Sequence, residues 1–485
     1  MKKIIFYSSL IWLLNFSHSK AQCNFSIDSL ISDDTLLDVG NKVVQDYIGN
    51  YVTCGRAWTQ GGAFDGGYLV KTTHNGVTIW KKKFDLTIYA DNFNDIKILP
   101  DKSYIILGTT SSTVNVNHVF IANLDTNGTL LWYNQFTYPE YETASQIQIT
   151  NDNKLLILGY SKNYLQSTGD VLLIKTDISG NLIWRKIIGL STVDENYTSL
   201  QIINNNTNYL IVGTERPASK YNLAVTILDT SGTVIWNKLN GTASLDFYGS
   251  TICQTFDKGY FVGGKINTQG YVWKLDSTGT IQWSNPYGLN TFTIIKEVKQ
   301  LSDSNLVFIT NDNYLHSSSN SVKAGILTKI DKNGNLLWEK FYKRPSAGQQ
   351  IVGINGFNFT KDNGYIITGS VVNTFGAPYT NLWLIKTDSL GNDSSNCAFY
   401  NSVKEITISN LAFEIFPNPT NSILNIIDKQ NQIKDATIEI KNYLGQVVFV
   451  STFNNQINLS NLSEGMYFLV VKNEQIRTVI KFIKN

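Results

Sequence analysis

One phrase recurs along this chain: an apolar run, then Asp, two residues, Gly, three residues and Trp. It stands as Leu124-Asp125-Thr126-Asn127-Gly128 with Trp132, and as Thr176-Asp177-Ile178-Ser179-Gly180 with Trp184. It returns as Leu228-Asp229-Thr230-Ser231-Gly232 with Trp236, Leu275-Asp276-Ser277-Thr278-Gly279 with Trp283, and Ile330-Asp331-Lys332-Asn333-Gly334 with Trp338. A first copy, Thr72-Thr73-His74-Asn75-Gly76 with Trp80, lacks the Asp. A last copy, Thr387-Asp388-Ser389-Leu390-Gly391, lacks the Trp. Successive glycines lie 52, 52, 52, 47, 55 and 57 residues apart. A fixed period of this size means a repeat architecture, in which each unit buries its apolar face only against like neighbours.

The unit reads as β-structure. Val171 to Thr176 is a short, β-branched apolar strand, and Asn181 to Ile188 is its return. The turn between them uses Asp177, whose carboxylate can bond nearby N–H groups, and Gly180, which tolerates positive φ. Upstream, Ser145 to Thr150 and Leu155 to Tyr160 form a second hairpin around Asn151-Asp152-Asn153. Asn311-Asp312-Asn313 reads as another Asn/Asp-rich hairpin, in the sixth unit. The second strands end in glycine at Gly108, Gly213, Gly264 and Gly369, as expected where neighbouring sheets crowd together. The sixth unit has Thr310 there instead. Only 16% of residues are charged and 8 are proline, which suits strands and tight turns.

Four strands per unit and seven units predict an all-β chain: a seven-bladed β-propeller over residues 22–400. The seventh unit shows three strands, and the segment Phe25 to Leu37 has no partner of its own. That segment is expected to supply the missing strand and close the ring, bringing Cys23 near Cys397 for a disulfide. Cys54 and Cys253 lie in apolar runs and read as small buried residues.

Residues 1–21 read as a signal peptide: Lys2 and Lys3, an apolar run from Ile4 to Phe16, and small residues at Ser19 and Ala21. The apolar run is shorter than the ~20 residues that cross a bilayer. Gln22 before Cys23 disfavours a lipoprotein cut. Removal leaves 37 bases against 38 acids, a net −1. Such a chain has no global field for nucleic acid or anionic lipid.

Past Asn396 the period stops. Residues 401–412 read as a linker, and 413–485 as short alternating strands of a small β-sandwich.

The Lys175-Thr176-Asp177 phrase with Gly180 and Trp184 resembles repeats of exported Bacteroidetes propellers. It is also similar to quinoprotein propeller repeats with a turn one residue shorter. The resemblance implies the fold and tryptophans packed between blades. The tail resembles the type A C-terminal sorting domain of the type IX secretion system. Pro417-Asn418-Pro419, the hairpin at Gly445, and Gly465 with Tyr467 carry that likeness. It implies the secretion machinery as partner, with release or attachment at the outer surface.

Chemistry is sparse in the sequence. The repeated aspartates sit one per unit and read as turn formers, not metal ligands. His74, His118 and His316 lie in different units without motif neighbours. No nucleophile elbow, zinc motif or phosphate loop occurs. Trp58, in the glycine-rich stretch Arg56 to Gly62, reads as a loop aromatic displayed for a ligand. No metal, cofactor or catalytic residue is expected. The expected function is a non-enzymatic secreted or cell-surface binding protein for a glycan or protein. The alternatives are a hydrolase of extracellular glycans and a purely structural surface protein. Acidic and aromatic side chains at the channel mouth favour hydrolysis; Asn, Ser and Thr favour binding.

Overall fold

Strands whose both faces are covered need not alternate, and the third strand of each unit shows this. Asp170–Asp177 carries Val171, Leu172, Leu173 and Ile174, all buried. Its outer neighbour Leu182–Ile188 has no fully buried residue. The computed structural model describes residues 25–27, 37–59, 65–86, 90–113, 116–163, 168–189, 192–204, 207–217, 219–288, 293–317, 320–342, 350–373, 380–393, 413–428, 436–442, 447–472 and 477–485. Among these there is no α-helix. The chain divides into two compact units, Met1–Cys397 and Ala398–Asn485.

The first unit is a propeller-like succession of four-stranded antiparallel sheets in sequence order. The third is typical: Tyr141–Ile149, Lys154–Lys162, Asp170–Asp177 and Leu182–Ile188. The sixth and seventh repeats join through one parallel bridge, Lys323 to Ile351. The last repeat supplies Gln350–Phe359, Tyr365–Asn373 and Thr380–Thr387. Its fourth strand is Phe25–Ile27, paired antiparallel with Leu384 to Lys386, as the sequence led one to expect. Cys23 and Cys397 lie outside the described residues.

Buried apolar clusters lie between consecutive sheets. One of them joins the last sheet to the first: Ile366, Leu382 and Leu384 pack with Val43, Tyr51, Tyr68 and Val70. Burial of each large aliphatic side chain contributes roughly 1.5–3 kcal/mol, so the sheets hold one another.

The repeated phrase resolves into two devices. Asp177 Oδ1 accepts from the N–H groups of Ser179 and Asn181, both at 2.9 Å. Asp125, Asp229, Asp276, Asp331 and Asp388 do the same. These bonds hold the Asp331 carboxyl below its ordinary range, led by that from the Asn335 side chain. In the first copy Thr73 Oγ1 takes the same bonds from Asn75 and Val77. The turn glycine then receives the preceding sheet's indole. A Cβ on Gly180 (φ +86°) would lie 2.6 Å from the Trp132 ring. Gly128, Gly232, Gly279, Gly334 and Gly391 face Trp80, Trp184, Trp236, Trp283 and Trp338 in turn.

Two expectations change. The strand-ending glycines are not set by neighbouring sheets alone. Most meet a backbone carbonyl of their own sheet: a Cβ on Gly159 would sit 2.3 Å from Thr143 O, and one on Gly369 1.9 Å from Gly353 O. Thr310, the exception, donates its hydroxyl to the equivalent carbonyl, Ile294 O, at 3.0 Å. Asn311 to Asn313 is no turn; it lies inside the strand Leu306–Ser317. That strand pairs with Asn320–Ile330 in unbroken register from Leu306 to Leu315, so the Asn-Asp-Asn signal was outweighed by a long ladder.

The second unit has a three-stranded and a four-stranded sheet. Leu424, Ile426 and Ile457 from one share a buried cluster with Ile438, Leu469 and Phe482 from the other.

Candidate functional site

The first strand of each sheet touches the first strand of the next, and Leu37–Gln45 touches Gln350–Phe359. Each carries a bulge. The residue left out of register is Asn41, Asn94, Ser145, Thr198, Ser250, Lys296 or Asn355. A bulge re-aims its side chain, and here the re-aimed groups tie one sheet to the next. Asn41 Nδ2 donates to Phe93 O at 2.8 Å, and Thr198 Oγ1 to Ser250 O at 2.9 Å. Ser250 donates to Ile295 O, Lys296 Nζ to Asn355 Oδ1 at 2.7 Å, and Asn355 Nδ2 to Gly40 O at 3.0 Å. Asn94 Oδ1 is buried without a hydrogen-bond partner among the described residues.

These strands enclose a cavity of about 370 Å³, with a second of about 170 Å³ beside it. The lining is amide and hydroxyl: Gln146, Gln148, Thr198, Gln201, Ser250 and Gln300. Several of those amides already bridge sheets; Gln146 Oε1 accepts from Leu200 N at 2.7 Å and Gln201 Oε1 from Gln254 N at 2.6 Å. Phe256, 65% exposed, and Phe359 also line it.

Charge enters from three sheets. Lys42 Nζ meets Glu297 Oε2 at 2.8 Å, and Lys299 Nζ meets Glu297 Oε1 at 3.2 Å. Burial opposes ionisation of Glu297, but Lys299 and Lys42 together outweigh it and hold the carboxyl down at about 2. Asp95 is chelated by Lys97 at 2.7 Å and accepts from Ile147 N at 3.1 Å. Lys296 is pushed down to about 8, first by burial and then by Lys42. A general acid needs a carboxyl poised near the working pH; Glu297 is shifted the other way. No group of three or more His, Cys, Asp or Glu able to hold a metal occurs among the described residues.

Trp58 borders the glycine-rich stretch. It ends the strand Tyr51–Trp58, half-buried, with the Arg56 guanidinium 5.5 Å from its ring centroid. Arg56 in turn pairs with Asp65. Trp58 lines neither cavity. Cys54 and Cys253 are buried free thiols; burial pushes Cys253 up to about 12. His118 is buried, and burial lowers its pKa. What the sequence reading missed is the lysine set: Lys42, Lys97, Lys296 and Lys299 recur at no fixed place in the repeat phrase. Of these, Lys296 stands on its strand's bulge, and Lys97 and Lys299 each lie three residues past one, a relation visible only once strand pairing is known.

In the second unit, Asn418 Oδ1 accepts from Ile483 N at 2.9 Å. Thr420 N donates to Ile483 O and Asn485 N to Thr420 O, both at 2.9 Å. The segment that opens this unit is thus tied to its last strand, Arg477–Lys484. Residues 414–485 match the family described as secretion system C-terminal sorting domain. This tail is such a sorting domain. Within the sorting domain, Pro417 and Pro419 flank the Asn418 anchor. Gly465 begins the strand Gly465–Lys472 opposite Lys484. Tyr467 stacks on Phe482, ring centroids 5.7 Å apart, and donates to Ser463 O at 2.9 Å. Gly445 lies outside the described residues. The domain implies export to the cell surface or beyond it.

Comparison with curated proteins gives no match. Among solved structures, Penicillium chrysogenum α-L-arabinanase with arabinobiose is 12% identical, at a TM-score of 0.41, over 65% of this chain and 99% of that one. A puromycin hydrolase is 8% identical at 0.47, over 71% and 51%. A neuraminidase-like protein of a flat-faced bat influenza virus is 13% identical at 0.38, over 77% and 95%. Likenesses of this grade carry no argument about activity.

Proposed function

We propose that this chain is an exported binding protein: a seven-bladed β-propeller whose polar channel takes a ligand without transforming it. A β-sandwich sorting domain then delivers it. The mature chain begins at residue 22, the propeller spans 22–400, a linker 401–412 and the sorting domain 413–485. A Cys23–Cys397 disulfide reinforces the strand-exchanged closure. The observation that carries the reading is the channel itself. Its lining is amide, hydroxyl and ammonium, and both its carboxylates are held by lysines. Such a surface offers many hydrogen bonds, and no carboxyl on it is poised to donate a proton.

Glycan and protein arrays probed with the mature chain, residues 22–485, test this, with saccharide hydrolysis assayed in parallel. Saturable binding without turnover supports it. Turnover of any bound saccharide, or a blank on both arrays, overturns it. Deleting residues 413–485 is expected to leave the protein inside the cell envelope, read by fractionation. Peptide mapping without reduction reads the disulfide.

A further inference from the structure

The channel is charge-unbalanced. Four ammonium groups, Lys42, Lys97, Lys296 and Lys299, face two carboxylates, Asp95 and Glu297. The carboxylates are taken: Asp95 by Lys97, and Glu297 by Lys42 and Lys299. Lys296 meets no carboxylate among the described residues; its Nζ reaches the Asn355 amide oxygen at 2.7 Å. It sits on the bulge of Ile294–Gln300, where the other sheets carry only Asn, Ser or Thr. An uncompensated ammonium in a partly desolvated cavity is unfavourable unless an anion joins it.

From this we infer that the channel is a site for an oxyanion-bearing saccharide, with Lys296 as the group that receives the carboxylate or sulfate. The inference rests on the binding reading above and names its ligand class. A saccharide fits better than an acidic peptide for two reasons. The walls of the cavity that Lys296 lines carry hydroxyls and amides, Ser145, Thr198, Ser250 and Gln146, which match sugar hydroxyls. At the same cavity Phe256 and Phe359 supply apolar faces on which a pyranose ring can pack. The volume of about 370 Å³ suits one or two sugar rings.

Charge gives the inference a pH signature. Burial and Lys42 hold Lys296 at about 8. The other titratable groups of its cavity are Lys42, Lys299, Glu297 and the Cys253 thiol, which burial keeps neutral up to about 12; Lys97 and Asp95 line the cavity beside it. Protonated Lys296 binds an anion and neutral Lys296 does not, so affinity is present below pH 8 and fades above it.

The test is calorimetric titration of residues 22–485 at low salt with oligogalacturonate, a sulfated chondroitin oligosaccharide, and neutral arabino- and cello-oligosaccharides. The expected result is binding of one or both acidic ligands at least 10-fold tighter than the neutral ones, weakening about 10-fold from pH 7 to pH 9. The two acidic arms separate carboxylate from sulfate. Lys296→Met is expected to remove the preference and flatten the pH profile. Its melting temperature should hold or rise, because an unpaired buried charge is lost. Equal binding of neutral sugars, or a preference that survives Lys296→Met, overturns the inference and leaves the binding reading standing. So does binding confined to proteins. A blank against every saccharide overturns the inference; a blank on the protein array as well takes the wider reading with it.

Discussion

Gly180 shows at one residue why the turn phrase is invariant in kind. Its φ of +86° is a conformation that costs a side-chain-bearing residue about 1 kcal/mol. A Cβ there would also collide with Trp132 at 2.6 Å, and overpacking adds roughly 1–3 kcal/mol. Gly180→Ala is therefore expected to lose about 2–4 kcal/mol in urea unfolding followed by circular dichroism. Gly353→Ala is the control. A Cβ at Gly353 meets nothing closer than Ser370 Oγ at 3.8 Å, so its effect should stay within about 0.5 kcal/mol. Equal losses at both sites would refute the interlock. At this scale the sequence was most readable, because the turn's bonds join Asp177 to residues two and four positions on. Reading failed where a residue's reason lay across a strand pair. Gly159 answers to Thr143 O on the paired strand. That relation leaves no mark in the local sequence.

The element that decides closure is the shortest strand described in the first unit. Phe25–Ile27 is a three-residue strand, yet it is the fourth strand of the last sheet. Deleting residues 22–30 uncovers the edge of Thr380–Thr387. Amide exchange at Leu384 to Lys386 is expected to speed up there, while Leu172 to Ile174 in the third sheet stays protected. Unchanged exchange at Ile385 would show that the closure does not depend on this strand. Its existence was legible because the repeat counted one strand too few at one end and one too many at the other. A second element-level device was not legible: the lysine of the third strand pairs with the aspartate in the first turn of its own sheet. Lys71–Asp46, Lys274–Asp257, Lys329–Asp303 and Lys386–Asp362 recur at 2.7–3.1 Å. Lys386 is fully buried, and burial lowers its pKa despite Asp362. Asp362→Ala strands that charge and is expected to cost about 3 kcal/mol. A base whose folded pKa is depressed binds fewer protons folded than unfolded. Stability of the variant should therefore climb as pH rises toward the ordinary lysine value of 10.5. A flat pH profile would refute the assignment.

Across the whole ring, one carboxylate stands between two lysines drawn from its own strand and from the first sheet. Glu297 binds Lys42 of the first sheet and Lys299 of its own strand, and accepts from Phe357 N of the seventh sheet at 3.2 Å. It thereby links the sheets on both sides of the closure. Its pKa falls from the ordinary 4.5 to about 2 because the two lysines outweigh burial. A carboxyl depressed on folding stabilises the native state above its unfolded pKa, and that stability is lost as pH falls toward the folded pKa. The shift corresponds to about 3 kcal/mol, present at pH 5 and above and gone by about pH 2. Glu297→Gln should lose this amount at pH 7 and show no further loss from this group on acidification. It also leaves Lys42 and Lys299 without their counter-charge, raising the cationic excess around Lys296. Thermal melts of the mature chain from pH 7 to pH 2, compared between wild type and Glu297→Gln, read both effects. If the two curves run parallel, Glu297 does not couple the sheets through ionisation. The channel's charge would then serve the ligand alone.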